Sequence, residues 1–435
     1  MTLRARQAGS ADLFALHRLA PDDYPFLLQS VAGHSQSGRY DILFAFPGRV
    51  IEAGDGDFFA TLSAAARESA APADELPFAG GWFLLLGYEG ARHVERRLRL
   101  PPSPFALPDL LAVRCPAAVI VDHERGETHC IAEGGAAQLE RLRADLARAK
   151  PAPQQEGALV GGLREDSPSR FTEGVCRILD YLAAGDVFQV NLSRAWRGEL
   201  ADGASAADLY ARLRISNPAP FAGLARWRGT TVLSSSPERL VQVRGAQVQT
   251  RPIAGTRPRG RNAEADRHLQ EQLIASVKER AEHIMLIDLE RNDLGRVCES
   301  GSVEVSELMT VESYAHVHHI VSNVRGRLRP GAGPGEVLRA VFPGGTITGC
   351  PKVRAMEIIA ELEGEGRGPY TGAMGYLSRD GHMDLNILIR TLVVEGRSVT
   401  LRAGAGIVAD SRPESELAET RSKARGLLQA CGAQA

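Results

Sequence analysis

Two pairs of glutamates stand at helical spacing in this chain. In VKERAEHIMLIDLERND, Glu279 and Glu282 are three residues apart, so on a helix they share a face while Ile284, Leu286, Ile287 and Leu289 supply apolar surface. In ESELAETRSK, Glu416 and Glu419 repeat that spacing, with Lys423 four residues beyond Glu419. Either pair alone suits an ordinary solvated helix face. Brought together, four carboxylates repel unless a cation sits among them. Hard oxygen ligands without cysteine or clustered histidine select Mg2+, which keeps several waters and also binds an anionic substrate group. Lys423 then holds a carboxylate or tempers the negative field.

Around these pairs lie three glycine-rich loops, RPIAGTRPRG at 251–260, FPGGTITGCPK at 342–352 and RAGAGIVAD at 402–410, each able to turn backbone N–H groups toward an anion. The second is no phosphate loop, because Pro351 separates Cys350 from Lys352 and the G-K-[ST] ending is missing. In the third, Gly404 to Ala409 spells G-x-G-x-x-A, but a dinucleotide fingerprint needs a helix starting within the motif. Here ADSRPES delays the helix to about Pro413. Three further side chains have acid-base or recognition chemistry: Glu238 in SSSPERL suits a general acid or an exposed turn, His319 in HVHHIVS a proton carrier or a local hydrogen bond, and Arg390 after the apolar run MDLNILIRTL wants a carboxylate partner.

These groups need elements to position them. Strands are expected at YDILFAF, GGWFLLLGY, CPAAVIVDH, VFQVNLSRAW, TTVLSSS, AQVQTRPIAGT, TGAMGYLS and SVTLRAGAGIV, and helices at about 171–184, 264–289, 351–362 and 414–430. Strands come in hairpin-like pairs and not in regular βα alternation, so the fold class is α+β with largely antiparallel sheets. Pro, Gly, Gln and charge at 151–166 replace periodicity and divide an N-terminal region, 1–150, from a larger one, 167–435.

The chain has 435 residues, 44% hydrophobic and 24% charged, with a formal net charge of −2. That is ample for a sizeable core, and it lacks the bias that draws proteins to nucleic acid or anionic membrane. The six cysteines are scattered without zinc spacing. No stretch approaches a membrane span and the N-terminus lacks an apolar signal core, so a cytoplasmic protein with reduced thiols is expected, with no nucleic-acid or membrane partner.

PERL, RPIAGTRPRG, AEHIMLIDLERNDLGRV, VHHIVS, FPGGTITGCPKVRAMEII and AGAGIVADS followed by E, ET and K occur in the order shown by the chorismate-utilising enzymes, and the chain resembles that family densely over about 168–430. The resemblance implies the fold of anthranilate synthase component I, a β-sandwich with helices outside. It further implies that Glu282 and Glu419 ligate Mg2+ with Glu279 and Glu416 behind them, the ion gripping the ring carboxylate of chorismate. Tyr370, Arg390, Gly404, Gly406 and Lys423 match positions that bind the enolpyruvyl carboxylate. Gly255 and Thr256 lie over the substrate, and Glu238 and His319 match catalytic positions, Glu238 protonating the leaving C4 hydroxyl.

Within the family, isochorismate and salicylate synthases have a water-activating lysine where this chain has Gln189. Glutamine cannot deprotonate water, so ammonia is the expected nucleophile, delivered by a separate glutamine amidotransferase subunit. Aminodeoxychorismate synthases often carry a nucleophilic lysine at the position of Ala254, where anthranilate synthases have alanine. NPAPF at 217–221 and the upstream segments SGRYDILFAFP and GYEGARHVE are similar instead to the aminodeoxychorismate branch. The expected product is 4-amino-4-deoxychorismate for folate and para-aminobenzoate synthesis, with anthranilate plus pyruvate as the alternative.

Overall fold

The computed structural model describes residues 2–31, 38–54, 56–153, 155–313 and 317–432. Runs that are apolar at every position, WFLLL and AAVIV, form the strands Gly81–Leu86 and Ala117–Asp122, buried along their whole length, as strands covered on both faces must be. They belong to two large sheets in which every ladder among the described residues is antiparallel. The expected α+β sandwich is the architecture found.

Among the described residues the first sheet has 12 strands and the second 10. Their inner faces meet in an aromatic core where Phe26 of the first stacks on Phe83 of the second at 4.0 Å between centroids, with Phe44, Phe78 and Tyr376 packed edge-on or tilted around them. Helices cover the outer faces. Leu13–Leu19, Ala136–Arg148, Ala206–Ser216 and Pro413–Cys431 pack on the first sheet, Phe58–Glu68, Val277–Gly295 and Pro334–Val341 on the second, and Pro168–Ala183 with Lys352–Glu363 around the strand Gln189–Leu200.

N-terminal and C-terminal regions share both sheets. In the first, Phe26–Gln29 pairs with Phe221–Trp227; in the second, Gly81–Leu86 pairs with Ala373–Ser378. Residues 151–166, expected as a linker, include the strand Val160–Glu165, which pairs with Gln189–Leu200.

The stretch 264–289, expected as one helix, is two: Ala263–Ala275 and Val277–Gly295, broken at Ser276 with φ −65° and ψ 108°. The Ser276 hydroxyl accepts the Glu279 backbone N–H at 3.4 Å, so the serine caps a new helix and sets Glu279 in its first turn. A second joint matters for chemistry. Thr230–Ser236 lies in the first sheet and Arg239–Arg244 in the second, and Pro237 and Glu238 make the crossing between them.

Candidate active site

The two glycines of Ser398–Ile407 open a floor against Gln189–Leu200, with Gly404 opposite Ser193 and Gly406 opposite Asn191. A Cβ at Gly406 would stand 2.4 Å from Gln189 Nε2 and 3.5 Å from Glu282 Oε1; one at Gly404 would stand 2.7 Å from Asn191 Oδ1 and 3.0 Å from the Tyr370 hydroxyl. The floor is therefore bare because side chains already crowd its rim. Gln189 Nε2 donates to Glu282 Oε1 at 2.8 Å. Lys423 Nζ donates to the Gly404 carbonyl at 3.1 Å and pairs with Glu419 at 2.7 Å. The helices Val277–Gly295 and Pro413–Cys431 thus bring Glu282 and Glu419 to the same two glycines.

Arg390 completes this end. Its φ of 53° is left-handed for a residue with a side chain, and its carbonyl, accepting from Ser235 N at 3.0 Å, helps hold that conformation. Desolvation pushes its pKa down, opposed by Tyr370 and Glu419. Among the described residues no carboxylate forms an ion pair with it. A half-buried guanidinium with no carboxylate ion pair among the described residues is able to take an anion from outside.

The opposite wall is the strand Ile253–Pro258. Its register against Val317–Arg327 slips between Ala254 and Thr256, where Gly255 takes φ 66°. A Cβ at Gly255 would fall 2.4 Å from Glu279 Oε2, so the position needs glycine for space as well as conformation. Glu279 Oε1 pairs with Arg257 at 2.6 Å, while its Oε2 is buried and, among the described residues, accepts no hydrogen bond. His319 Nδ1 lies 3.3 Å from the Gly255 carbonyl, which assigns the proton to Nδ1. Burial, with Arg390 and Lys423 adding to it, lowers the imidazole pKa to about 4, so the ring is neutral at pH 7. Ala254 is buried, 6% exposed. The Thr256 side chain lies outside the described residues.

Glu238 sits at the crossing between the sheets, 5% exposed. Its Oε1 accepts the Thr346 hydroxyl at 2.6 Å, and its backbone N–H donates to Ser236 Oγ at 3.2 Å. Desolvation pushes its pKa up to about 7 against the opposing pull of Thr346 and Lys423. A carboxyl whose pKa lies near neutrality is able to give up a proton at working pH. Lys423 acts on both Glu238 and His319, which ties the acid, the imidazole and the glycine floor into one electrostatic unit.

The four glutamates do not form a ready cage: among the described residues no group of three or more His, Cys, Asp or Glu converges closely enough to hold a metal ion. Like charges avoid one another, and three of them turn to nearby donors, Glu279 to Arg257, Glu282 to Gln189 and Glu419 to Lys423. Glu416 is buried, 6% exposed. The donor set still fits a hard divalent cation. It is all carboxylate, and Glu279 Oε2, buried and without a hydrogen bond among the described residues, is an acceptor that a cation or a cation-bound water would satisfy.

Three residues in this setting were not singled out from the sequence: Thr346, Asn191 and Arg257. All lie inside the motifs FPGGTITGCPK, VFQVNLSRAW and RPIAGTRPRG, but nothing in their type distinguishes them until the partner side chain is visible. The assembled site offers a neutral acid, a neutral imidazole, an unpaired guanidinium and a carboxylate-rich face, which suits acid-assisted elimination on a polyanionic substrate.

The sequence pattern of the chorismate binding enzyme family matches residues 25–429. Anthranilate synthase component 1 of Streptomyces coelicolor is 42% identical over 433 residues, covering 94% of this chain and 84% of the relative. The protein of the same name from Thermus thermophilus is 42% identical over 427 residues, covering 93% and 91%. The crystal structure of anthranilate synthase component I from Streptococcus pneumoniae superposes with a TM-score of 0.80 at 33% identity, covering 91% of this chain and 93% of that one. The menaquinone-specific isochorismate synthase of Escherichia coli shares the fold, with a TM-score of 0.79 at 20% identity.

Proposed function

The chain belongs to the chorismate binding enzyme family, and from that premise we propose that it is an anthranilate synthase component I, converting chorismate and ammonia to anthranilate, pyruvate and water. Relatives carrying that name cover nearly the whole chain. The C4-aminated product expected above gives way to this alternative. The observation that carries it is Ala254, a buried methyl where the other aminating branch often has a nucleophilic lysine. A methyl forms no adduct, so ammonia adds directly at C2.

In the first step the ammonia nitrogen bonds to C2, the ring double bonds shift, and the C4–oxygen bond breaks as Glu238 gives its proton to the departing hydroxyl, which leaves as water. In the second, loss of the C2 proton expels the enolpyruvyl group as pyruvate and leaves an aromatic ring. His319, neutral and beside Gly255, is suited to take that proton. Arg390, Tyr370 and Lys423 with the Gly404 and Gly406 floor receive the enolpyruvyl carboxylate, and Gly255 and Thr256 border the ring. Glu282 and Glu419, backed by Glu279 and Glu416, would hold Mg2+, whose contribution when bound is positive charge for the ring carboxylate. Gln189, buried and 3% exposed, borders the site as a neutral amide, which leaves ammonia free to act as the nucleophile. A glutamine amidotransferase subunit is the proposed ammonia source.

The test is incubation of the purified chain with chorismate, Mg2+ and ammonium. Fluorescent anthranilate and pyruvate in equal amounts, identified by mass, are expected. Accumulation of 4-amino-4-deoxychorismate without pyruvate would overturn the assignment.

A further inference from the structure

We propose that Arg367 is a positioning residue for the general acid: its guanidinium staples the turn that carries Thr346, and through it Glu238, to the strand beneath the glycine floor. The proposal rests on the reading of Glu238 as that acid and adds the residue that aims it. Arg367 lies four residues beyond Glu363, the last residue of Lys352–Glu363, and both side chains are 1% exposed. Its Nε donates to Glu363 Oε2 at 3.0 Å and its Nη2 to Oε1 at 2.6 Å, the two-pronged fit of guanidinium to carboxylate. Burying such a pair is costly, and apolar side chains of similar volume often serve stability as well. They cannot donate hydrogen bonds in several fixed directions.

Arg367 uses every direction it has. Beyond Glu363, Nη2 donates to the Asn191 carbonyl at 2.7 Å, and Nη1 donates to the Ile347 carbonyl and to Thr371 Oγ1, each at 3.2 Å. All five N–H groups of the guanidinium are thereby placed, a set that no other side chain supplies. Asn191 closes the ring, because its own N–H donates to the Thr348 carbonyl at 2.8 Å. Residues 347 and 348 are therefore held by the floor strand on one side and by Arg367 on the other, and Asn191 itself lies opposite Gly406.

Within the turn, Thr348 Oγ1 donates to the Gly344 carbonyl at 2.8 Å and Thr348 N to the Gly345 carbonyl at 3.3 Å. Thr346 stands at its tip and donates to Glu238 Oε1 at 2.6 Å. Only one peptide unit separates the carbonyl that Arg367 holds from the residue that holds the acid. Thr346 opposes the desolvation that raises the pKa of Glu238, so a turn that loosens lets that pKa rise further. The charge balance also makes Arg367 replaceable. Glu363 pairs with Arg402 as well, at 2.8 Å, so two guanidiniums share one carboxylate, and removing Arg367 leaves a neutral pair and no stranded charge.

The test is the kcat–pH profile of the full chain with chorismate, Mg2+ and saturating ammonium. Arg367→Lys keeps the charge beside Glu363 but gathers its donors on one nitrogen. It should lower kcat roughly tenfold and move the alkaline limb up by about half a pH unit, with a smaller change in KM for chorismate. Arg367→Met should act in the same direction and carries the test if Arg367→Lys does not fold. Thr346→Val alone should also move the limb up, and adding Arg367→Lys to it should move it no further. Lys423 and Glu290 interact electrostatically with Glu238, and Glu89 accepts the Arg367 backbone N–H; none of them is altered in these variants, so a displaced limb reports on the turn. A limb left at the wild-type pH in the folded Arg367 variants, whatever their Tm, would reduce Arg367 to a structural role and overturn the proposal, as would an additive shift in the double variant. A wild-type limb that persists in Glu238→Gln would instead remove the acid assignment, and the proposal with it.

Discussion

Glu238 shows what position does to an ordinary side chain. At the end of a strand in SSSPERL it is legible as an acid but not as one that keeps its proton, because the raised pKa comes from burial where the two sheets cross. A general acid must be protonated, so kcat should hold below pH 7 and fall as pH rises through about 7. Glu238→Gln should lower kcat by about 10²–10⁴ with little change in KM, and its residual rate should be flat from pH 6 to 8. A variant retaining the wild-type alkaline decline would assign that limb to another group. Arg390 makes the complementary case: the sequence showed an arginine in need of a carboxylate, and among the described residues no carboxylate forms an ion pair with it. Arg390→Lys, which keeps the charge but loses the planar fork, should raise KM for chorismate by about 10- to 100-fold in steady-state assays, whereas a change confined to kcat would argue against carboxylate binding.

The break at Ser276 is the clearest case among the elements. Helical periodicity runs through 264–289, and counting apolar positions carries one helix across it. Yet Ser276 and Glu279 spell S-x-x-E, an N-terminal capping signature, so the boundary was present in the residues and hidden by periodicity. The cap bears on the proposed metal face, since it places Glu279 in a first turn beside Gly255. Ser276→Ala should cost about 1 kcal/mol, a fall in Tm on the order of 1–3 °C, and should raise several-fold the Mg2+ concentration for half-maximal activity. An unaltered Mg2+ response with the expected loss of stability would show that the cap does not position Glu279. The slip at Gly255 and the bare floor at Gly404 and Gly406 were legible as glycine-rich loops, but which side chains fill the space a Cβ would need was not.

For the molecule as a whole, both sheets are continuous across the two regions that the sequence divides at 151–166. Expressed alone, residues 167–435 would lose Phe26 and Phe83 from the central aromatic stack and leave Phe221–Trp227 and Ala373–Ser378 as bare edges, which invites aggregation. That fragment should be insoluble or lack near-ultraviolet circular dichroism, and a folded, monomeric fragment would contradict the shared core. Local pattern was enough for the strands, the α+β class, the acidic helix faces and the motif order that marks the family, because alternation, helical spacing and glycine content are properties of neighbouring residues. Tertiary structure alone decided the raised pKa of Glu238, the neutral imidazole of His319, the unpaired guanidinium of Arg390 and the contacts of Glu279 with Arg257 and of Glu282 with Gln189. Each depends on desolvation or on a partner far away in the chain, and those are set by how the sheets cross and not by the residues on either side.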